Sequence, residues 1–130
     1  MSEICHLLTG EIAGAPVRFF ASPLPEPDAP WCALADLLGA VGVPADRALR
    51  FFRFGARSVA VGGEVVQIID RHQAEGLLAA ASESERARSD LVTHLRVAIV
   101  DALNVQMSGW PEPTKWAFSL AATTREARNV

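Results

Sequence analysis

The chain has 130 residues, long enough to build one hydrophobic core and too short for two independent ones. Half of its residues are apolar, which excludes a disordered chain, and no apolar run nears the roughly 18 residues needed to span a bilayer. The formal charge of -3 argues against a protein that coats nucleic acid.

In chain order, Met1-Ser2-Glu3 offers no basic segment, and Ile4 to Leu8 is too short for the apolar core of an export signal, so a soluble protein in the cytoplasm is expected. Residues 4–8 alternate loosely, and Thr9-Gly10-Glu11 reads as a turn into Ala15 to Phe20, which predicts a first β-hairpin. Four prolines between Ser22 and Pro30 deny that stretch both helix and ladder hydrogen bonding, so a loop is predicted, with Trp31 as the anchor after it. Leu34, Leu37, Leu38 and Val41 then recur at helical spacing, with Asp36 on the opposite side and Gly39 and Gly42 available to end a short first helix.

Pro44 suits the first turn of a second helix, in which Ala48, Leu49, Phe51 and Phe52 share one arc and Asp46, Arg47, Arg50 and Arg53 the other. Gly55 ends it. Ser58 to Val61 and Glu64 to Ile69, separated by Gly62-Gly63, predict a second hairpin with a two-residue turn. Asp70 can cap a third helix that buries Ala74, Leu77, Leu78 and Ala81, and Ser82 with Glu85 fits a capping box for a fourth over about 85–107.

The fourth helix carries Ala87, Leu91, Leu95, Ala98, Ala102 and Val105 on one stripe, widened by Val92, Val97, Ile99, Val100 and Leu103. A helix apolar nearly all round is either central in a core or shared with another subunit. Leu95, Ile99 and Leu103 are therefore the expected contacts of a homodimer, the commonest closed assembly. A tail that folds back over the same surface is the competing expectation. Ser108 to Pro113 breaks the helix, after which Thr114 can cap a last helix facing Trp116 and Leu120 inward, although Trp116, Phe118 and Leu120 also alternate as in a strand. The expected fold is α+β: two β-hairpins and about four to five helices, in a domain of residues 1–107 with an extension, 108–130, packed on it.

Catalytic signals are weak. His6, His72 and His94 stand apart, and Cys5 and Cys32 match no zinc or redox spacing, so reduced thiols and neither a metal nor a cofactor are expected. Asp70-Arg71-His72 could do acid–base work, but capping already accounts for Asp70. Cys32 and His94 could meet as nucleophile and base, yet no recognisable flanking sequence supports the pair. Gly62-Gly63 lacks the helix start of a phosphate loop. A binding protein is expected rather than an enzyme.

The distribution of charge points to a surface. Residues 1–44 hold Arg18 against Glu3, Glu11, Glu26, Asp28 and Asp36, whereas 45–60 hold Arg47, Arg50, Arg53 and Arg57 against Asp46 alone. Lys115 is the single lysine, so positive charge is almost entirely arginine, the residue suited to forked contacts with phosphate or carboxylate. A solvated helix face would alternate in sign; this stretch does not. Phe51, Phe52 and Phe54 interleave with the arginines, at a spacing that fits core packing beneath the patch better than stacking on bases.

The succession of these segments resembles the Bro-N domain of phage antirepressor proteins over roughly residues 10–100. Val17-Arg18-Phe19-Phe20 followed by Trp31-Cys32-Ala33-Leu34-Ala35-Asp36-Leu37-Leu38-Gly39 is similar to that family's opening strand, aromatic residue and short helix with an aspartate. Val66-Gln67-Ile68-Ile69-Asp70, then Glu75-Gly76-Leu77, then the polar break before Glu85-Arg86-Ala87, are similar to its next strand, a Glu-x-Gly-Leu-like helix and the long helix. The chain departs from the family where a Trp-Val pair and a Val-Leu-Pro segment are usual, having Leu91-Val92 and Ile99-Val100 there, and the stretch after Met107 has no counterpart in the family. The resemblance implies a viral regulator of transcription that binds DNA or another protein. Expected partners are thus DNA, contacted through Arg47, Arg50, Arg53 and Arg57, or an acidic surface of a host or phage regulatory protein, which the net negative charge favours.

Overall fold

The computed structural model describes residues 4–25, 28–43, 55–82 and 84–108. They form five strands, β1 (His6–Ile12), β2 (Ala15–Phe20), β3 (Trp31–Ala33), β4 (Arg57–Val61) and β5 (Glu64–Ile69), and three helices, α1 (Leu34–Val41), α2 (Arg71–Ala81) and α3 (Glu85–Met107). The α+β class is as expected; the helix count differs, with three among the described residues. The helix expected over 46–54 and the final one after Thr114 lie outside those residues, as does the 109–130 part of the expected extension.

All strands pair antiparallel in one sheet of order β1-β2-β3-β5-β4. Two tight turns organise it. Gly62 and Gly63 have φ of 53° and 85°, the doubly left-handed conformation of a two-residue hairpin turn, and produce the second hairpin as expected. In the first hairpin the same conformation falls on Ala13 (φ 53°) and Gly14 (φ 77°), not on Thr9-Gly10-Glu11, so β1 runs on to Ile12. Gly10 is instead a strand residue beneath a helix: a Cβ there would lie 2.9 Å from the Ala98 Cβ of α3 and 3.4 Å from the Phe19 ring. Gly10→Ala is expected to cost about 1–3 kcal/mol by overpacking, read from the urea midpoint. The pair Gly10→Ala with Ala98→Gly should cost less than the two changes summed; strict additivity would show that this contact does not limit how closely α3 approaches β1.

The sheet curls back on itself. Ile4 N–H, just before β1, donates to the carbonyl of Ala60 on β4, the opposite edge strand, at 3.1 Å. Alternation along the strands then fills two spaces. Phe20, Trp31, Ala33, Val59, Val66 and Ile68 point inward, joined by Ile4, Leu24 and Val61. Ile12, Val17, Phe19, Cys32 and Ile69 point outward, under the three helices. β3 escapes prediction because it is only three residues long and buried on both faces, so it shows no alternation.

Helix boundaries follow local chemistry. Gly42 (φ 70°) takes the left-handed position after α1, and the Val43 N–H reaches back to the Leu38 carbonyl. Asp70 and Gln73 close a reciprocal capping box at the start of α2. At α3 the cap is Ser84, whose hydroxyl accepts from the Ala87 N–H at 3.1 Å, and not Ser82, whose hydroxyl donates to the Leu78 carbonyl of the preceding helix. Leu95, Ala98, Ile99 and Ala102 of α3 are buried against the sheet. No helix among the described residues is long and apolar enough to cross a membrane.

Candidate functional site

The expected arginine surface is only partly described. Arg47, Arg50 and Arg53 lie outside the described residues; Arg57 opens β4 opposite Ile68 and is exposed, with no ion-pair partner among the described residues. Gly55, two residues earlier, sits where any Cβ would overlap the side chain of Gln73, which is held in the cap of α2. The chain leaving the arginine-rich segment is therefore seated against the start of α2 before it enters β4.

The expected dimer contacts fall elsewhere. Leu95 is fully buried and Ile99 is 6% exposed within the single chain, while Leu103 is half-buried. Leu95 and Ile99 thus belong to this chain's own core, which corrects their placement at an interface. The helix pattern was too wide to show which arc the sheet would take. The apolar side chains that α3 leaves exposed are Val97, Val100 and Val105.

Cys32 and His94 are not brought together. Cys32 points into the outer core, where burial, with Asp36 and Asp70 nearby, pushes its thiol up to about 12, whereas His94 is exposed on α3. Asp70, the other acid–base candidate, holds the cap. Among the described residues no cluster of three or more His, Cys, Asp or Glu side chains could hold a metal.

The built polar site is one that the charge pattern did not single out. The β1–β2 register directs the Arg18 N–H away from β1 towards β3, but β3 ends at Ala33, where the chain turns into α1. Asp36, in the first turn of α1, takes the place of the missing strand. Its Oδ2 accepts from the Arg18 N–H at 2.9 Å and from Arg18 Nε at 2.8 Å, and Oδ1 accepts from Arg18 Nη2 at 3.1 Å. Arg18 Nη1 lies 3.6 Å from Glu64 Oε2 at the start of β5, and the guanidinium stands 5.9 Å from the centre of the Phe20 ring. Burial alone would raise the Asp36 carboxyl; hydrogen bonds and charge from Arg18 outweigh it and hold the carboxyl below its ordinary range. The bond to Asp36 in turn raises Arg18, against partial burial. A lone arginine in the acidic first third of the chain and an aspartate on the polar side of a helix were the available signals.

Beside this clamp, a cleft of about 360 Å³ opens between α1 and β5, lined by Arg18, Leu34, Ala35, Leu38 and the stretch from Glu64 to Gln67. A two-residue turn makes Val61 and Glu64 a hydrogen-bonded pair, so the next pair, Ala60 and Val65, turns its backbone groups outward from the hairpin. The Ala60 carbonyl does so, reaching Ile4. The Val65 N–H and C=O face the opposite way, on the side of β5 where β3 pairs only Ile68 and Ile69, beyond the place that Asp36 takes beside Arg18, and have no partner among the described residues.

The fold and these features define an α+β domain with a curled antiparallel sheet, an arginine clamp and a strand-edge cleft. No family model, curated protein or solved structure matches the chain.

Proposed function

We propose that this protein is a regulatory binding domain of the phage antirepressor kind, without catalytic activity, that contacts DNA through Arg47, Arg50, Arg53 and Arg57. The observation that carries the proposal is the charge in residues 45–60, four arginines against one acid in a chain of net charge -3. Fork-shaped guanidinium groups grouped in this way match phosphate oxygens, and phosphate contacts supply most of the affinity of sequence-independent DNA binding. Arg57, exposed at the start of β4, is accessible to such a ligand. The likeness to Bro-N domains supports the same class of role.

The net negative charge favours a second reading, in which the same arginines engage an acidic surface of a regulatory protein. Equilibrium titration of a labelled random-sequence duplex at two salt concentrations separates the two. The DNA reading predicts binding whose log affinity falls with log salt at about 0.9 per phosphate contacted. Absence of binding at the lower salt would contradict it and leave the protein-binding reading.

A further inference from the structure

We propose that the cleft between α1 and β5 docks an extended peptide carrying a basic side chain, which adds to β5 at Val65 as a short strand. The proposal uses none of the arginines of the DNA reading, so it stands or falls independently of that reading.

Three features define the occupant. The Val65 N–H and C=O form one outward-facing donor and acceptor pair at the cleft wall, the arrangement that a peptide in extended conformation satisfies with its own C=O and N–H. The Val65 side chain is 62% exposed, and among the described residues no strand pairs with β5 at Val65 on the side away from β4. Leu34, Ala35 and Leu38 make the opposite wall apolar and suited to a side chain of the incoming strand. Strand edges left open in this way are ready templates for pairing with another chain.

The charge at the rim fixes the sign of the partner. Among the described residues the ion pairs of Asp36 and Glu64 are both to Arg18, two carboxylates to one guanidinium. Asp36 already engages Arg18 through two nitrogens and its backbone N–H, while Glu64 is held only at 3.6 Å and its side chain is 66% exposed. An acidic peptide would have to displace a carboxylate. A lysine or arginine can pair with Glu64 and leave the Arg18–Asp36 clamp intact.

The test is titration of the isotope-labelled full chain with three blocked pentapeptides, followed by amide resonances: Ser-Lys-Val-Leu-Ser, its Lys-to-Glu counterpart, and the lysine peptide N-methylated at valine. The lysine peptide should shift the Val65 and Leu38 amides, with the glutamate peptide about threefold weaker, as for an exposed ion pair. N-methylation removes the donor for the Val65 carbonyl and should abolish the shifts. Val65→Pro should do the same by removing the acceptor's partner N–H at a position that β4 does not use. Should that variant fail to fold, Glu64→Gln, on the exposed rim, must still erase the preference for lysine over glutamate. Unmoved cleft amides at millimolar lysine peptide, equal response to the two charges, or full binding of the N-methylated peptide would each overturn the proposal.

Discussion

Replacing Ile99 with glutamate is expected to unfold the chain, whereas the same change at Val100 should leave its stability nearly unaltered. Ile99 is 6% exposed and packs in the outer core, so a carboxylate there is buried without a partner, at about 4 kcal/mol or more. A domain of this size has only about 5–15 kcal/mol to lose. Val100, one residue on, is 54% exposed, and surface changes of this kind stay within about 0.5 kcal/mol. Urea denaturation followed by circular dichroism, with light scattering on the folded variants, measures both. A folded Ile99→Glu monomer of near-native stability would return Ile99 to an interface between subunits.

The second large effect is expected at the clamp. Asp36→Ala removes two charge-assisted side-chain bonds and strands the Arg18 N–H, for an expected loss of about 2–3 kcal/mol and about 10 °C in the melting temperature. Arg18→Met leaves the carboxylate with only the backbone bond and should cost nearly as much. The double variant should be less destabilised than the two losses added together, because each single change already breaks the same interaction. The pH dependence has a definite sign. The folded state holds the Asp36 carboxyl below its ordinary value near 4, so its contribution is complete above that value and disappears as the pH falls through the lowered folded-state value. The wild type should therefore lose more stability on acidification below about pH 4 than Asp36→Ala does. Parallel acid curves for the two proteins would contradict the assignment.

What the sequence showed, and what it hid, divides by the range of the forces involved. The hairpin at Gly62-Gly63, the cap at Asp70 and the extent of α1 and α3 are decided within a few residues, and each is legible locally. The turn at Ala13-Gly14 was obscured by Gly10, which looked like a turn residue but is small because α3 crosses it. Ser82 and Ser84 offer the same hydroxyl two residues apart; only the end of α2, where Ser82 bonds Leu78, decides between them. The burial of Ile99 and exposure of Val97 depend on which arc of α3 meets β1. Asp36 acquires its role because β3 stops at Ala33, a fact of tertiary pairing that no spacing in the sequence encodes. Of the candidate surface, the sequence shows the arginine cluster but not the cleft, whose open edge exists only once β4, β5 and α1 are in place.

The proposed DNA contact is tested most directly by the salt dependence of duplex binding for the single variants Arg47→Ala, Arg50→Ala, Arg53→Ala and Arg57→Ala. Each arginine that meets a phosphate should lower the slope of log affinity against log salt by about 0.9, with the urea midpoint unchanged. Duplex binding whose slope is the same in all four variants as in the wild type would contradict the account and place the phosphate contacts elsewhere on the molecule.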